Sequence, residues 1–398
     1  MAKKLLMLGG GFLQNFVIQK ARELGYYVYC LDANPNAVGF QSASESAVIN
    51  IVEEDACLAF AREKNIDGVL TAATDYSVLT MSRIATELGL PGINYDSARL
   101  IKNKASVRKV LFDAKADDTG YSHLVDSSEC AQQIKDKVAF PVMVKPCDGS
   151  GSRGATRVES SDEFVKACEI AMGCSLSHKA VAEPFVNGRE YGVESFVNNG
   201  DIYILAVMQK DMTKPPYYAE LGHAIPSDLP LALEQKVREC VRKALVAMNV
   251  NHGSVNMDLL ITDSGNVHII DIGARMGGNL IGSHIIPLGT GIDYIDNMIK
   301  AAVGDKTNWE PVSESQPVAT KLLALTPGVV KSLPKFEAIE KEYGVKIEHH
   351  LHIGDTITPY RTNLDGCGYV VATGINADEA IMLAAKVKDI INLSIGRA

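Results

Sequence analysis

The first hundred residues alternate short apolar runs with amphipathic stretches, and no other feature of the sequence limits the possible folds as much. Residues 5–8 read as a strand, 12–24 as a helix stopped by Gly25, and 27–31 as the next strand. A helix over 57–64, a strand over 68–72 and a helix over 76–88, closed by Gly89 and Pro91, repeat the unit. This succession implies parallel pairing with helices on both faces, a Rossmann-like sheet.

The middle of the chain follows another rule. Residues 140–146 form an apolar strand carrying one lysine, Lys145, and a glycine-rich turn follows. Residues 162–171 read as a helix, 181–185 and 190–197 as strands, and Asn198-Asn199-Gly200 as a hairpin turn. A long amphipathic helix covers 231–248, and strands over 256–262 and 267–272 pair across Asp263-Ser264-Gly265. This part is α+β with antiparallel strands. Residues 305–316, rich in Asp, Asn, Glu, Pro and Ser, read as a linker. Beyond it come short strands near 319–325, 346–350 and 369–372 and a helix over 377–391. With 398 residues the chain is too long for one core, and the expected division is 1–100, 101–305 and 306–398.

Charge and composition narrow the function. Thirty-nine basic residues against 48 acidic give a net charge of −9, with no basic runs, which argues against nucleic acid as a partner. No apolar run reaches the ~18 residues of a membrane span. The N-terminus starts like a signal peptide, but the apolar run breaks at Gly9-Gly10-Gly11, and a first strand fits better. Eight scattered cysteines without a Cys-x-x-Cys pair read as reduced thiols of a cytoplasmic protein. His350 and His352 share one strand face but lack neighbouring acids or cysteines, so they read as solvated residues rather than a metal site.

The loop Gly9–Gly11 follows a strand, opens a helix and is followed by Asp32 at the end of the second strand. A dinucleotide fingerprint would need glycine where Gln14 stands, and any first strand–helix turn of such a sheet favours glycines. A substrate carboxylate or phosphate at that helix N-terminus is the better reading.

A second loop carries more chemistry. Lys145 precedes Gly149-Ser150-Gly151-Ser152-Arg153-Gly154, whose small residues let backbone N–H groups approach phosphate oxygens. It is not a P-loop, because Ala155-Thr156 replaces the required Lys-Ser/Thr; the plain alternative is a hairpin tip. Downstream, Asp258 and Asp271 fall on partner strands, a hard-oxygen pair suited to Mg²⁺ bridging phosphates. Arg275, four residues later, can meet developing negative charge.

The order of these elements resembles the ATP-grasp superfamily over roughly residues 95–305. The preceding sheet is similar to that family's N-terminal domain and the tail to its small C-terminal domain. The resemblance implies a two-lobed central domain with a lid over about 112–182. It also implies roles. Lys104 would contact the α-phosphate and Lys145 the phosphates beyond it, while Gly149, Ser150, Gly151 and Ser152 would fold over the β- and γ-phosphates. Glu183 would lie near the adenine amino group, the Phe185 and Val186 backbones at the adenine edge, and Glu190 at the ribose. Asp258 and Asp271 would hold Mg²⁺, or Mn²⁺ in its place, and Arg275 would stabilise the reacting acyl phosphate. Two positions depart from the family: it commonly has glutamate at Asp271 and asparagine at Gly273, and Asn256, on the same strand face as Asp258, is the available substitute.

The implied activity is that of an ADP-forming carboxylate–amine ligase, working on small molecules through an acyl phosphate and joining amino acids among its options. A formate- or bicarbonate-activating relative and a non-catalytic ATP-binding module are the alternatives. A homodimer is common among relatives. Similar Glu-x-x-His stretches in amino-acid ligases lie beside the acceptor site, and Glu220-Leu221-Gly222-His223 has that spacing. A surface loop with packed aromatics over 210–223 is the competing reading of that stretch.

Overall fold

The protein is seen in a computed structural model, which describes residues 2–148, 154–214 and 217–398. Strands β1 (Lys4–Leu8), β2 (Tyr27–Asp32), β3 (Glu45–Val48) and β4 (Gly68–Leu70) form a parallel sheet in the order β3-β2-β1-β4. The Leu5–Leu8 side chains of β1 are all buried, as expected of a strand covered on both faces. Helix α1 (Phe12–Glu23) leaves β1 through the glycine turn. The Gly10 N–H at that turn donates to Asp32 Oδ2 at 2.8 Å, so the chain's own carboxylate takes a donor that an outside anion would use.

A second, antiparallel sheet holds β5 (His123–Val125), β6 (Val142–Pro146), β7 (Thr156–Val158) and β8 (Ala180–Pro184) in the order β5-β8-β6-β7. The helix Ser161–Cys174 closes this lobe, with Phe164 buried against Val142, Val144 and Val158.

The largest sheet is antiparallel throughout. It contains β9 (Arg189–Asn198), β10 (Asp201–Met212), β11 (Glu220–Ile225), β12 (Gly253–Ile261) and β13 (Val267–Gly273). From the C-terminal part come β14 (Val318–Leu322), β15 (Gly328–Ser332), β16 (Lys346–His349), β17 (Thr356–Ile357), β18 (Gly368–Thr373) and β19 (Gly396–Arg397). The order is β13-β12-β9-β10-β11-β14-β18-β16, and β17-β15-β19 form a small separate sheet. Strands from beyond the 305–316 linker therefore continue the central sheet, and the helix Ala377–Ser394 packs on β14 and β18. Much of 210–223, a loop on one sequence reading, is the end of β10 and the start of β11. One core joins Leu6 and Val69 of the parallel sheet to Val107, Met257 and Leu259. Among the described residues no helix is long and apolar enough to cross a membrane.

Candidate active site

Strand β12 buries Val255, Met257, Leu259 and Ile261 on one face, and the two-residue period of a strand turns Asn256 and Asp258 to the other. Asp258 lies opposite Asp271 and Asn256 opposite Gly273, but Leu259 lies opposite Ile269. Ile270 is thus the extra residue of a β-bulge, which frees its carbonyl from the ladder. Two cations take that oxygen, Arg108 Nη2 at 2.8 Å and Lys145 Nζ at 3.2 Å. Gly273 is held to glycine by space: a Cβ there would stand 2.9 Å from both Arg275 Cζ and Asp75 Oδ1. The asparagine expected in the family would have to displace that ion pair.

The cations are arranged in a chain. Lys104, at the start of the helix Lys104–Asp113, reaches Asp271 Oδ1 at 2.5 Å. Burial would raise the Asp271 carboxyl, but Lys104, Lys145 and Arg108 outweigh it and hold it at about 2. Glu183 is buried with both oxygens engaged, Oε2 by Arg108 Nε and Oε1 by Lys145 Nζ at 2.5 Å. Burial opposes its charge too, and the two cations keep it at about 2. Burial, with Arg108 and Lys104 nearby, pulls Lys145 down to about 8 against the attraction of Glu183. Asp148, where the second glycine loop begins, accepts from Ser175 Oγ, Leu176 N and Ser177 N at 2.7–2.9 Å.

Arg275 opens into the same cleft, which Asp75, Lys102, Lys104, Asn256, Asp258 and Asp271 also line. Its Nη2 donates to Asp75 Oδ2 at 3.1 Å, while Nε and Nη1 are buried with no partner among the described residues. Burial would lower its pKa, yet Asp75, followed by Glu194 and Asp258, holds it above the ordinary value. Asp75 comes from the parallel-sheet part, where Ala72 also bridges to Met276. Behind Arg275, fully buried Glu194 accepts from Tyr294 OH at 2.6 Å, Asn256 Nδ2 at 3.0 Å and Gly277 N at 3.2 Å. Burial pushes its carboxyl up to about 7. Gly277 must be glycine here, since a Cβ would lie 2.9 Å from Glu194 Oε2 and Asn256 Nδ2.

Lys210 Nζ lies 2.5 Å from Glu220 Oε1, 2.9 Å from Asp258 Oδ1 and 3.4 Å from Glu190 Oε2. Burial disfavours its charge, but the three carboxylates raise its pKa well above normal. Glu220 Oε2 accepts from Asn279 and from Asn363 Nδ2 at 2.7 Å, and its backbone oxygen accepts from Tyr360 OH. Burial pulls His223 down to about 4, so it is neutral at pH 7.

The structure brings Lys104, Lys145, Glu183, Asp258, Asp271 and Arg275 together, with Glu190 reached through Lys210. Phe185 and Val186 follow β8; the Phe185 N–H donates to Pro141 O at 3.1 Å and Arg157 covers its ring. Gly149, Ser150, Gly151 and Ser152 lie outside the described residues. Sequence reasoning missed Arg108, Lys210, Glu194 and Asp75. A signal existed for Glu194: it shares a strand face with Glu190, and the register sets them opposite Asn256 and Leu260. A roomier cavity of about 400 Å³ between α1 and the segment 282–293 holds none of these groups.

The ATP-grasp domain pattern matches residues 138–283, and L-amino acid ligase C-terminal domain 2 matches residues 321–395. The chain is 27% identical over 344 residues to the ATP-grasp enzyme fsqD of Aspergillus fumigatus, covering 74% of this chain and 58% of that one. Two crystal structures share its fold with a TM-score of 0.82 and 20% identity: a phosphoribosylglycinamide synthetase from Anaerococcus prevotii and an L-amino acid ligase from Bacillus licheniformis. Both alignments cover 100% of this chain, and they cover 100% and 98% of those chains respectively. Lys145, Asp258, Asp271 and Arg275 thus lie within the residues that match the ATP-grasp domain, with Lys104 before them, and the chain carries an ATP-grasp domain followed by a region similar to L-amino acid ligase C-terminal domain 2.

Proposed function

We propose that the protein is an ADP-forming carboxylate–amine ligase that uses ATP with Mg²⁺, with small amino acids as the substrate class to try first. The observation that carries this reading is the meeting of Asp258, Asp271, Lys104 and Arg275 on one cleft, beside buried Lys145. The L-amino acid ligase pattern over 321–395, the part that supplies Asn363 and Tyr360 to Glu220, supports the substrate class. We also propose the division 1–100, 101–305 and 306–398, a cytoplasmic location and a homodimer.

The residues fit a divalent ion. Asp258 and Asp271 are register partners that both line the cleft. Among the described residues no group of three or more His, Cys, Asp or Glu side chains is arranged to hold a metal alone. That suits an ion shared with phosphate oxygens, because Mg²⁺ usually takes one or two carboxylates and keeps its other positions for phosphate and water. The bound ion would neutralise phosphate charge.

The chain's own groups do the rest. Lys104 and Lys145 meet the phosphates, and the Glu183 and Asp271 carboxylates hold these lysines in place. Transfer of the γ-phosphoryl to a carboxylate turns a poor leaving oxygen into phosphate. Arg275, which lines the cleft, would meet the oxyanion formed when an amine attacks. Glu220, beside neutral His223, is the carboxylate we assign to the incoming amine, on the Glu-x-x-His spacing of the sequence.

Asp271→Asn should preserve the fold and much of the ATP affinity while lowering turnover by roughly 10–100-fold or more, the range seen when groups around a bound metal are changed. Unchanged turnover would mean that Asp271 serves only as the partner of Lys104. The reaction itself is tested with ¹⁸O-labelled carboxylate and pooled amines. Label must appear in inorganic phosphate, with ADP as the other product. Unlabelled phosphate, or AMP with pyrophosphate, would overturn the mechanism, and phosphate release only with bicarbonate or formate would overturn the substrate class.

A further inference from the structure

We propose that the ammonium of Lys210 is a permanent cation of this site, and that the nucleotide therefore enters with one divalent ion rather than two. The inference rests on the ATP-grasp reading above and deepens it.

Lys210 and Lys104 each hold one of the two metal acids, but they differ in kind. Lys104 sits at a helix start, its side chain 19% exposed, and it can withdraw from Asp271. The Lys210 side chain is 1% exposed and enclosed by carboxylates from three strands: Glu190 of β9, Glu220 of β11 and Asp258 of β12. Withdrawing it would leave three neighbouring, largely buried acids without the cation they share, an unfavourable way to break a buried network. It stays, and whatever binds at Asp258 must share that carboxylate with it.

Sharing limits the ligands. Asp258 Oδ1 is committed to Lys210, which leaves Oδ2 for a metal. Asp271 offers one short carboxylate. Gly273 offers no side chain, and the Arg275–Asp75 pair fills the space where one would begin. Asn256 gives its amide nitrogen to Glu194, which leaves its amide oxygen as the one neutral side-chain donor beside the two carboxylates. Two octahedral ions sharing two monodentate carboxylates and one amide oxygen would rest mostly on phosphate and water. The ammonium already provides, at a fixed point beside Asp258, positive charge that a second ion would otherwise bring. The same ammonium ties Glu190, on the nucleotide side, to Glu220, on the acceptor side.

The test counts bound Mn²⁺ by electron paramagnetic resonance, using the full chain saturated with a non-hydrolysable ATP analogue. The wild type should hold one Mn²⁺ per bound nucleotide. Lys210→Met keeps an unbranched apolar stem and removes the charge, leaving three adjacent carboxylates, and should hold two. Two ions in the wild type would overturn the proposal while the ATP reading stands; no nucleotide binding at all would overturn the ATP reading instead. A folded Lys210→Met that still holds one ion would show that the ammonium does not replace a metal, and would also overturn the proposal. If Lys210→Met does not fold, the wild-type count decides alone.

Discussion

Arg275→Lys should lower turnover by about 10²-fold or more and change ATP affinity little, the scale of removing a preorganised donor from a developing oxyanion. The geometry accounts for both halves of this expectation. One nitrogen of the guanidinium is spent on Asp75, which fixes the plane of the group where it lines the cleft. Lysine keeps the charge, so attraction to the nucleotide survives. It cannot hold Asp75 and also present a planar pair of donors. Turnover and calorimetric affinity, measured on the same preparation, give the split. Wild-type turnover would mean that Arg275 serves only to join the segment around Asp75 to the central sheet.

Arg108→Met should destabilise the protein by about 3–5 kcal/mol, the range for removing one partner of a buried ion pair. Arg108 is 4% exposed and is a direct partner of both the Glu183 carboxylate and the bulge carbonyl of Ile270. Without it Glu183 keeps only Lys145, and an oxygen is left buried without a donor. The chain has several packed units, so the loss is best read from the first urea transition rather than from one global free energy. Adding Glu183→Gln to Arg108→Met should not recover the loss, because buried Lys145 then loses its carboxylate partner. An unshifted transition in the single variant would mean that Lys145 alone satisfies Glu183.

These two residues mark what could be read in advance. Arg275, Asp258 and Asp271 stand at short, fixed separations on a predicted hairpin, and strand periodicity carries them to one face. The parallel sheet was equally readable, since buried strands such as Leu5–Leu8 are apolar throughout. Arg108 was not readable: it lies on a helix whose sequence is that of an ordinary surface helix, and only tertiary packing sets it under Glu183. Lys210 was hidden likewise, because a lysine near prolines and tyrosines reads as loop, and its three partners come from different strands. The bulge at Ile270 has no glycine to announce it, yet it decides where Lys145 and Arg108 bind. Asp75 lies between the strand read over 68–72 and the helix read over 76–88; its contact with Arg275 spans 200 positions of sequence, and nothing local predicts it.

The shared central sheet bears on how such a protein can evolve by recombination. β11, which carries Glu220 and His223, is bonded along its far edge to β14, from Gly222 opposite Lys321 to Ile225 opposite Val318. The fit is tight, for a Cβ on Gly222 would fall 2.2 Å from the Thr320 carbonyl oxygen. A crossover in the 305–316 linker would take β11 from one parent and β14 from the other, and a mismatch would leave a bare strand edge beside Glu220 and His223. A crossover that keeps this edge paired must therefore bring both strands from one parent.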